Sequence, residues 1–289
     1  MFFHLSHRGV TDMMIELPKD EYSRVQPLFA RMEHHLAVQA ILSGQTPATV
    51  LVDDPVHPHT SLIWNNYRCY LAGASNDHEV SAALQPLVSE VIAPRALAAG
   101  APVLVFYFDP GEWQDRIAAL LPHKRVIPAL RQYYTLRSHP RDWRTLLPAG
   151  YTLRAVDATL LGDAGWRNLD RLEGEMCSER PSVTDFLAHS FGVCLTHDDE
   201  IAGWCLSEYN RKDRCEVGIE TIEVHQRRGL ATVMTLALCE RAFANGIVQI
   251  GWDCWARNIA SAATARKAGF ELLCDYPAAL AWLIEEDSL

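Results

Sequence analysis

Gln226-Arg227-Arg228-Gly229-Leu230-Ala231 is the stretch that decides how this chain is read, and it runs straight into Thr232-Val233-Met234-Thr235-Leu236-Ala237-Leu238-Cys239-Glu240-Arg241-Ala242. Leu230, Val233, Met234, Leu236, Ala237 and Leu238 recur at helical spacing, so a helix starts where the turn ends. Ahead of the turn, Glu216-Val217-Gly218-Ile219-Glu220-Thr221 reads as a strand. A strand, a tight turn and a helix N-terminus together form a device for holding a phosphorylated ligand. The first N–H groups of a helix have no internal acceptor, and the macrodipole favours an anion beside them. Gly229 and Ala231 let the backbone approach closely, while Arg227 and Arg228 add full charge. The dipole contributes roughly 0.3–1 kcal/mol, and each charge-assisted hydrogen bond about 1.5–3 kcal/mol. Residues Gln226, Arg227, Arg228, Gly229, Leu230, Ala231 and Thr232 are therefore the predicted pyrophosphate-binding segment.

Working outward, 289 residues suit two domains of about 100–200 residues each. Hydrophobic residues make up 49%, enough for two cores, and no window offers the ~20 apolar residues of a membrane span. A net charge of −10 excludes general nucleic-acid binding through a positive surface. It also favours, weakly, a cationic acceptor such as an amine. Eight cysteines lie far apart without a CxxC pair, and the opening Met1–Arg8 has neither a long apolar core nor a small-residue cleavage site. Free thiols, no signal peptide and a cytoplasmic location are expected, with Met13 and Met14 leaving a later start open.

The first half reads as strands at 48–52, 60–64, 67–73, 103–108 and 133–137, with helices near 33–44, 77–99 and 112–121. His34/His35 and the group Asp53/Asp54/His57/His59 resemble metal ligands in composition only. No HExxH pattern surrounds the first pair and the second sits in a proline-rich turn, so no metal is expected. After a loop at 138–150 with Pro140 and Pro148 the pattern restarts: strand 151–156, helical segments 158–172 and 182–190, a hairpin 192–207, the strand and turn above, strand 247–254, helix 258–268 stopped by Gly269, and one or two strands to 284. The division is drawn as 1–145 and 146–289.

Residues 151–285 resemble the GNAT superfamily of acyl-CoA-dependent N-acyltransferases. Gln226–Ala231 is similar to that family's [Q/R]-x-x-G-x-[G/A] turn, Gly218-Ile219-Glu220-Thr221 to the strand before it, and Asn258-Ile259-Ala260-Ser261 with Arg266-Lys267-Ala268-Gly269-Phe270 to its asparagine helix. The resemblance implies an α/β (α+β) fold with a GNAT-like mixed central sheet flanked by helices. It implies acetyl-CoA as co-substrate, its pantetheine arm meeting the backbone of Ile219 and Thr221, and further contacts from Asn258 and Ser261. The local sequence is similar to a bacterial two-domain branch that includes zwittermicin self-resistance-type acetyltransferases. On that likeness, the first half is a smaller α/β domain with the order of a degenerate GNAT-like unit. One departure matters: the family's usual tyrosine, seven residues after the asparagine and acid toward the CoA sulfur, is here Ala265.

The implied reaction is direct attack of a primary amine on the thioester. At pH 7 an alkyl ammonium of pKa about 10.4 costs roughly 4.6 kcal/mol to deprotonate, so a carboxylate reaching the cleft between the strands at 215–221 and 247–254 is needed. Glu220, Glu216 and Asp253 are the candidates, and Glu216 and Glu220, four apart, share a strand face. Each carboxylate has the alternative of a local ion pair or cap. Asn258 has the alternative of capping its helix, Trp204, Trp252 and Trp255 that of being core, and Cys254 that of a buried thiol rather than an acetyl carrier. The expected partner is a small amino-acid-like or antibiotic-like amine, with a protein or peptide amine, or non-catalytic acyl-CoA binding, as alternatives. No nucleic acid and no membrane are expected, and a homodimer stays open. A Rossmann dinucleotide site is set aside because its turn needs three glycines and this one has Gly229 alone.

Overall fold

A computed structural model describes residues 14–75, 78–138 and 141–284. Met1–Arg8, Met13 and Pro140, singled out above, lie outside the described residues. The described residues divide into two compact units, one of residues 14–130 together with 276–284, the other of residues 131–275.

In the first unit β1 (Ile15–Glu16), β2 (Thr49–Val52), β3 (Thr60–Asn65) and β4 (Arg68–Gly73) pair antiparallel in succession. A 3-10 helix, Lys19–Met32, and α1 (Leu36–Leu42) join β1 to β2. The predicted helix at 33–44 is therefore shorter than expected, and its two histidines precede it; His35 is buried against the rings of Tyr70, Tyr107 and Tyr276. From β4 the chain crosses by α2 (His78–Pro86), a π turn (Leu87–Ile92) and α3 (Ala93–Ala98) to β5 (Val103–Phe108), which lies parallel to β4. Parallel neighbours need such a crossover, and burial on both faces explains the unbroken apolar run of β5. After α4 (Pro110–Trp113), the sheet is completed by residues 278–282, antiparallel to β5. In the turn between β2 and β3, Asp53 Oδ1 accepts the N–H groups of Asp54, His59 and Thr60 and Asp54 Oδ1 those of Val56 and His57, so both carboxylates shape that turn.

The second unit repeats this order. It takes residues 131–136 of β6 (Arg125–Leu136), then β7 (Thr152–Ala155), α5 (Ala158–Leu161), α6 (Leu169–Met176), α7 (Val183–His189), β8 (Gly192–His197), β9 (Glu200–Arg211) and β10 (Arg214–Thr221). There follow α8 (Leu230–Ala244), β11 (Gln249–Trp255), α9 (Ile259–Ala268) and the start of β12 (Glu271–Trp282). Strands β7 to β10 are antiparallel neighbours, β10 and β11 are parallel, and residues 131–136 lie antiparallel to β11. One apolar core packs α8 and α9 against Cys215, Val217, Ile250 and Trp252; a second packs α5–α7 against Cys194, Trp204 and Leu206.

Both units therefore carry antiparallel strands, a helical crossover and a parallel strand, the order expected of a mixed-sheet domain preceded by a degenerate copy. The division differs from the expected 145/146. It falls inside β6, because residues 131–136 find their register on residues 250–255, while 276 onward returns to the first unit. Which strand a segment pairs with is set by contacts distant in sequence, so the proline-bearing loop at 138–150 did not mark the boundary.

Candidate functional site

The segment between β10 and α8 adopts two left-handed residues, Arg227 (φ 63°) and Gly229 (φ 81°). Alternation of this kind turns successive N–H groups toward one side. The first intrahelical bond of α8 is Val233 N–H to the Gly229 carbonyl, and among the described residues no protein acceptor meets the N–H groups of 227–232. α8 has no side-chain cap. A Cβ on Gly229 would find no atom within 4 Å, so the space over these donors is open. An anion is what such a terminus lacks.

The side chains of the turn divide into anchors and free groups. Gln226 Nε2 donates to the Thr221 carbonyl at 3.0 Å, tying the turn to the end of β10. Arg228 donates to Tyr151 Oη (3.1 Å) and to the Val224 carbonyl (3.3 Å). Behind it Tyr151 Oη lies 2.8 Å from His225 Nδ1, and His225 Nε2 lies 3.4 Å from Glu200 Oε2. Asn168 and Arg167 hold the same Glu200 carboxylate. Burial pushes the Glu200 pKa up, but the bonds from Asn168 and His225 and the charge of Arg167 outweigh it, so the carboxyl sits below the usual range. Arg227 is exposed.

Next to the turn the sheet opens. β10 and β11 pair only at Arg214/Gln249, Cys215/Ile250 and Glu216/Gly251, although each strand continues for several residues. The Ile222 N–H donates to the Ala202 carbonyl on the β9 side. Peptide groups alternate along a strand, so those of Gly218 and Glu220 turn the same way as Ile222. Those of Ile219 and Thr221 therefore turn toward the opening. Thr221 Oγ1 is buried and meets no protein partner among the described residues.

Three candidate carboxylates share the sheet face that α5–α7 cover. Glu216 is buried and accepts a hydrogen bond from Tyr133 Oη at 3.1 Å. Asp253 is held by Arg131 Nε at 2.9 Å, and that guanidinium lies over the Trp255 ring at 4.3 Å. Glu220, half-exposed, is bonded by Arg171 of α6. Glu208 of β9 joins them, lying across Gly218. The structure thus brings Glu216 and Asp253 together around Tyr133 and leaves Glu220 nearer α6.

On the other face, Asn258 Oδ1 accepts the Ser261 N–H at 3.0 Å and so caps α9. Ser261 Oγ accepts from Trp252 Nε1 at 3.1 Å. Trp252 and Trp204 are buried in the two cores, and Cys254 is a buried thiol whose pKa desolvation raises. Ala265 is fully buried against the same core.

Sequence reasoning did not find Tyr133, Arg131, Arg171, Tyr151 or Glu208. A signal existed for two of them. Gly218 and Gly251 interrupt apolar strands, which marks a close approach. A Cβ at Gly251 would overlap Tyr133 Oη and come within 2.9 Å of Glu216 Cγ.

The chain matches the family model described as GNAT acetyltransferase over residues 26–279. It is 24% identical over 264 residues to a Bacillus subtilis protein named Uncharacterized N-acetyltransferase YdfB, covering 90% of this chain and 96% of that one. Among solved structures it is similar to a GCN5-related N-acetyltransferase-like protein of Streptococcus suis, with a TM-score of 0.65, 19% identity and coverage of 91% and 98%. A GCN5-related N-acetyltransferase of Sphaerobacter thermophilus gives 0.61, 14%, and 96% and 98%. A tandem GNAT protein from the clavulanic acid biosynthesis pathway gives 0.56, 15%, and 95% and 99%. At these identities the structural likenesses show the fold, and it is the mixed-sheet fold expected.

Proposed function

The chain belongs to the GNAT acetyltransferase family, and on that footing we propose that it transfers the acetyl group of acetyl-CoA to a primary amine of a small molecule by direct attack. The observation that carries this reading is the run of unpartnered N–H groups at residues 227–232, beside a parallel strand pair that parts after three residues. A diphosphate suits the first and an extended arm suits the second. Arg227, Arg228, Gly229, Leu230, Ala231 and Thr232 would hold the diphosphate, with Gln226 keeping the turn in place. The inward peptide groups of Ile219 and Thr221 would take the arm and polarise the thioester carbonyl. Asn258 and Ser261, already engaged in capping α9 and bonding Trp252, would contact the cofactor only through their remaining polar capacity.

The acceptor side is lined by Glu208, Glu216, Glu220 and Asp253, which suits a substrate that arrives as an ammonium ion. Glu216 is the carboxylate nearest the apex of the opening and is the base in this reading. Glu220 and Asp253, each engaged by an arginine, orient the acceptor. Non-catalytic acyl-CoA binding is the competing reading, supported by the missing hydroxyl at Ala265.

Calorimetry with acetyl-CoA, followed by thiol release over a panel of small amines (polyamines, amino acids and their amides, aminoglycosides), separates the two. Binding with amine-dependent release is expected. Binding without release from any amine would favour the non-catalytic reading, and no binding would remove both.

A further inference from the structure

We propose that Tyr133, carried on β6, supplies the proton taken by the departing CoA sulfur, and that Glu216 accepts the amine's proton and passes it to Tyr133. This rests on the acetyl-transfer reading and names the acid that Ala265 cannot be.

Glu216/Gly251 is the last register pair before β10 and β11 separate, so it forms the apex of the opening. From Thr221, where the turn is anchored, to Glu216 is five strand residues, or about 17 Å at the usual rise. That is the scale of an extended pantetheine arm. A ligand with its diphosphate on the start of α8 and its arm along β10 therefore ends at the apex. Tyr133 Oη is already there, 3.1 Å from Glu216 Oε1 and directly over Gly251, where no side chain fits.

The chemistry balances. The ammonium first gives one proton to solvent; the neutral amine then forms the C–N bond, the C–S bond breaks, and its electron pair leaves with sulfur. The nitrogen's surplus proton goes to the Glu216 carboxylate, and the phenolic proton of Tyr133 goes to the thiolate. Glu216, now an acid, returns a proton to the Tyr133 phenolate across the bond they share, and both groups are reset without an outside donor. Order follows from electrostatics. Burial and the neighbouring Glu216 anion push the Tyr133 pKa upward, so the phenol keeps its proton while Glu216 is charged. Neutralising Glu216 with the amine's proton removes that repulsion and makes the phenol a better acid at the step that needs one. Among the described residues, the charged groups around the pair include Arg214 on β10, which favours phenolate, Asp253 on β11 with its partner Arg131, the carboxylate opposing phenolate, and Glu208, opposite Glu216 on β9.

The test uses the full chain, acetyl-CoA and the fastest amine of the panel. Tyr133→Phe keeps the ring and loses the proton; kcat should fall about 100-fold or more, the range of one acid–base group. The acetyl-CoA Kd should stay within about twofold, since the phenol touches no part of the diphosphate site. Glu216→Gln should give a similar loss and remove the acidic limb of the kcat–pH profile. The double variant should be little slower than either single one, as for groups acting as a unit. A Tyr133→Phe enzyme with kcat within about threefold of wild type, or with Kd weakened in step with kcat, would overturn the proposal. If that variant does not fold, Glu216→Gln decides alone: an unchanged pH profile overturns it. Wild type that binds acetyl-CoA but releases thiol with no amine would instead end the transfer reading, and this proposal with it.

Discussion

Replacing Gly229 with glutamate tests the anion site at its most exposed point. The backbone there is left-handed, φ 81°, so any side chain costs roughly 1–2 kcal/mol. No packing penalty is added, because a Cβ at this position has nothing within 4 Å. A carboxylate beside the start of α8 regains roughly 0.3–1 kcal/mol from the dipole. The unliganded protein should therefore lose about 1 kcal/mol, a melting shift of about 2–4 °C. Binding should suffer far more. If the new carboxylate displaces the diphosphate from two N–H donors at about 1.5–3 kcal/mol each, the loss is about 3–6 kcal/mol, and Kd for acetyl-CoA rises on the order of 10²–10⁴-fold. Gly229→Ala is the partner measurement, since it carries the same backbone strain without charge. Calorimetry of both variants at one salt concentration gives the comparison. A glutamate variant whose Kd lies within about tenfold of the alanine variant's would refute the anion site, because strain would then account for the whole effect.

Three further outcomes follow from the geometry. Gly251→Ala forces Tyr133 and Glu216 apart and should destabilise by about 1–3 kcal/mol, as overpacking does; an unchanged denaturation midpoint would mean that the two side chains do not meet over this residue. Cys254→Ala should keep kcat within about threefold, because desolvation holds this buried thiol protonated at neutral pH and a thiol is a poor nucleophile; loss of turnover would point to an acetyl-cysteine. Glu200, on the chain of bonds behind Arg228, has its pKa lowered in the folded state, so its contribution is complete above the ordinary glutamate range near about 4.3 and is lost as pH falls below it. Urea midpoints between neutral pH and pH about 3.5 should show a smaller acid loss for Glu200→Gln than for wild type, and parallel curves would remove Glu200 from the acid transition.

What was legible in the sequence was local. The turn 226–232, the helix it opens, the helix 258–268 with its Gly269 stop and nearly every strand follow from spacing within one element, and the structure has them within a few residues. What was not legible depended on partners far along the chain. The 3-10 helix Lys19–Met32 did carry a local signal, burying Tyr22, Val25, Phe29 and Met32 at helical spacing, whereas the unit boundary depends on which strand residues 131–136 pair with. The roles of the turn's side chains were hidden for the same reason. Gln226 is occupied by Thr221 and Arg228 by Tyr151, contacts fixed by the loop's path. Tyr133 is the sharpest case, since in its own stretch, Tyr133-Tyr134-Thr135-Leu136-Arg137, it is only one more strand aromatic. The pairing of its strand with β11 sets its hydroxyl over Gly251, and the absent side chain there lets it reach Glu216. A glycine in the middle of an apolar strand destabilises that strand, so its presence asks what occupies the space, and here the answer is a phenol beside a carboxylate at the apex of the opening.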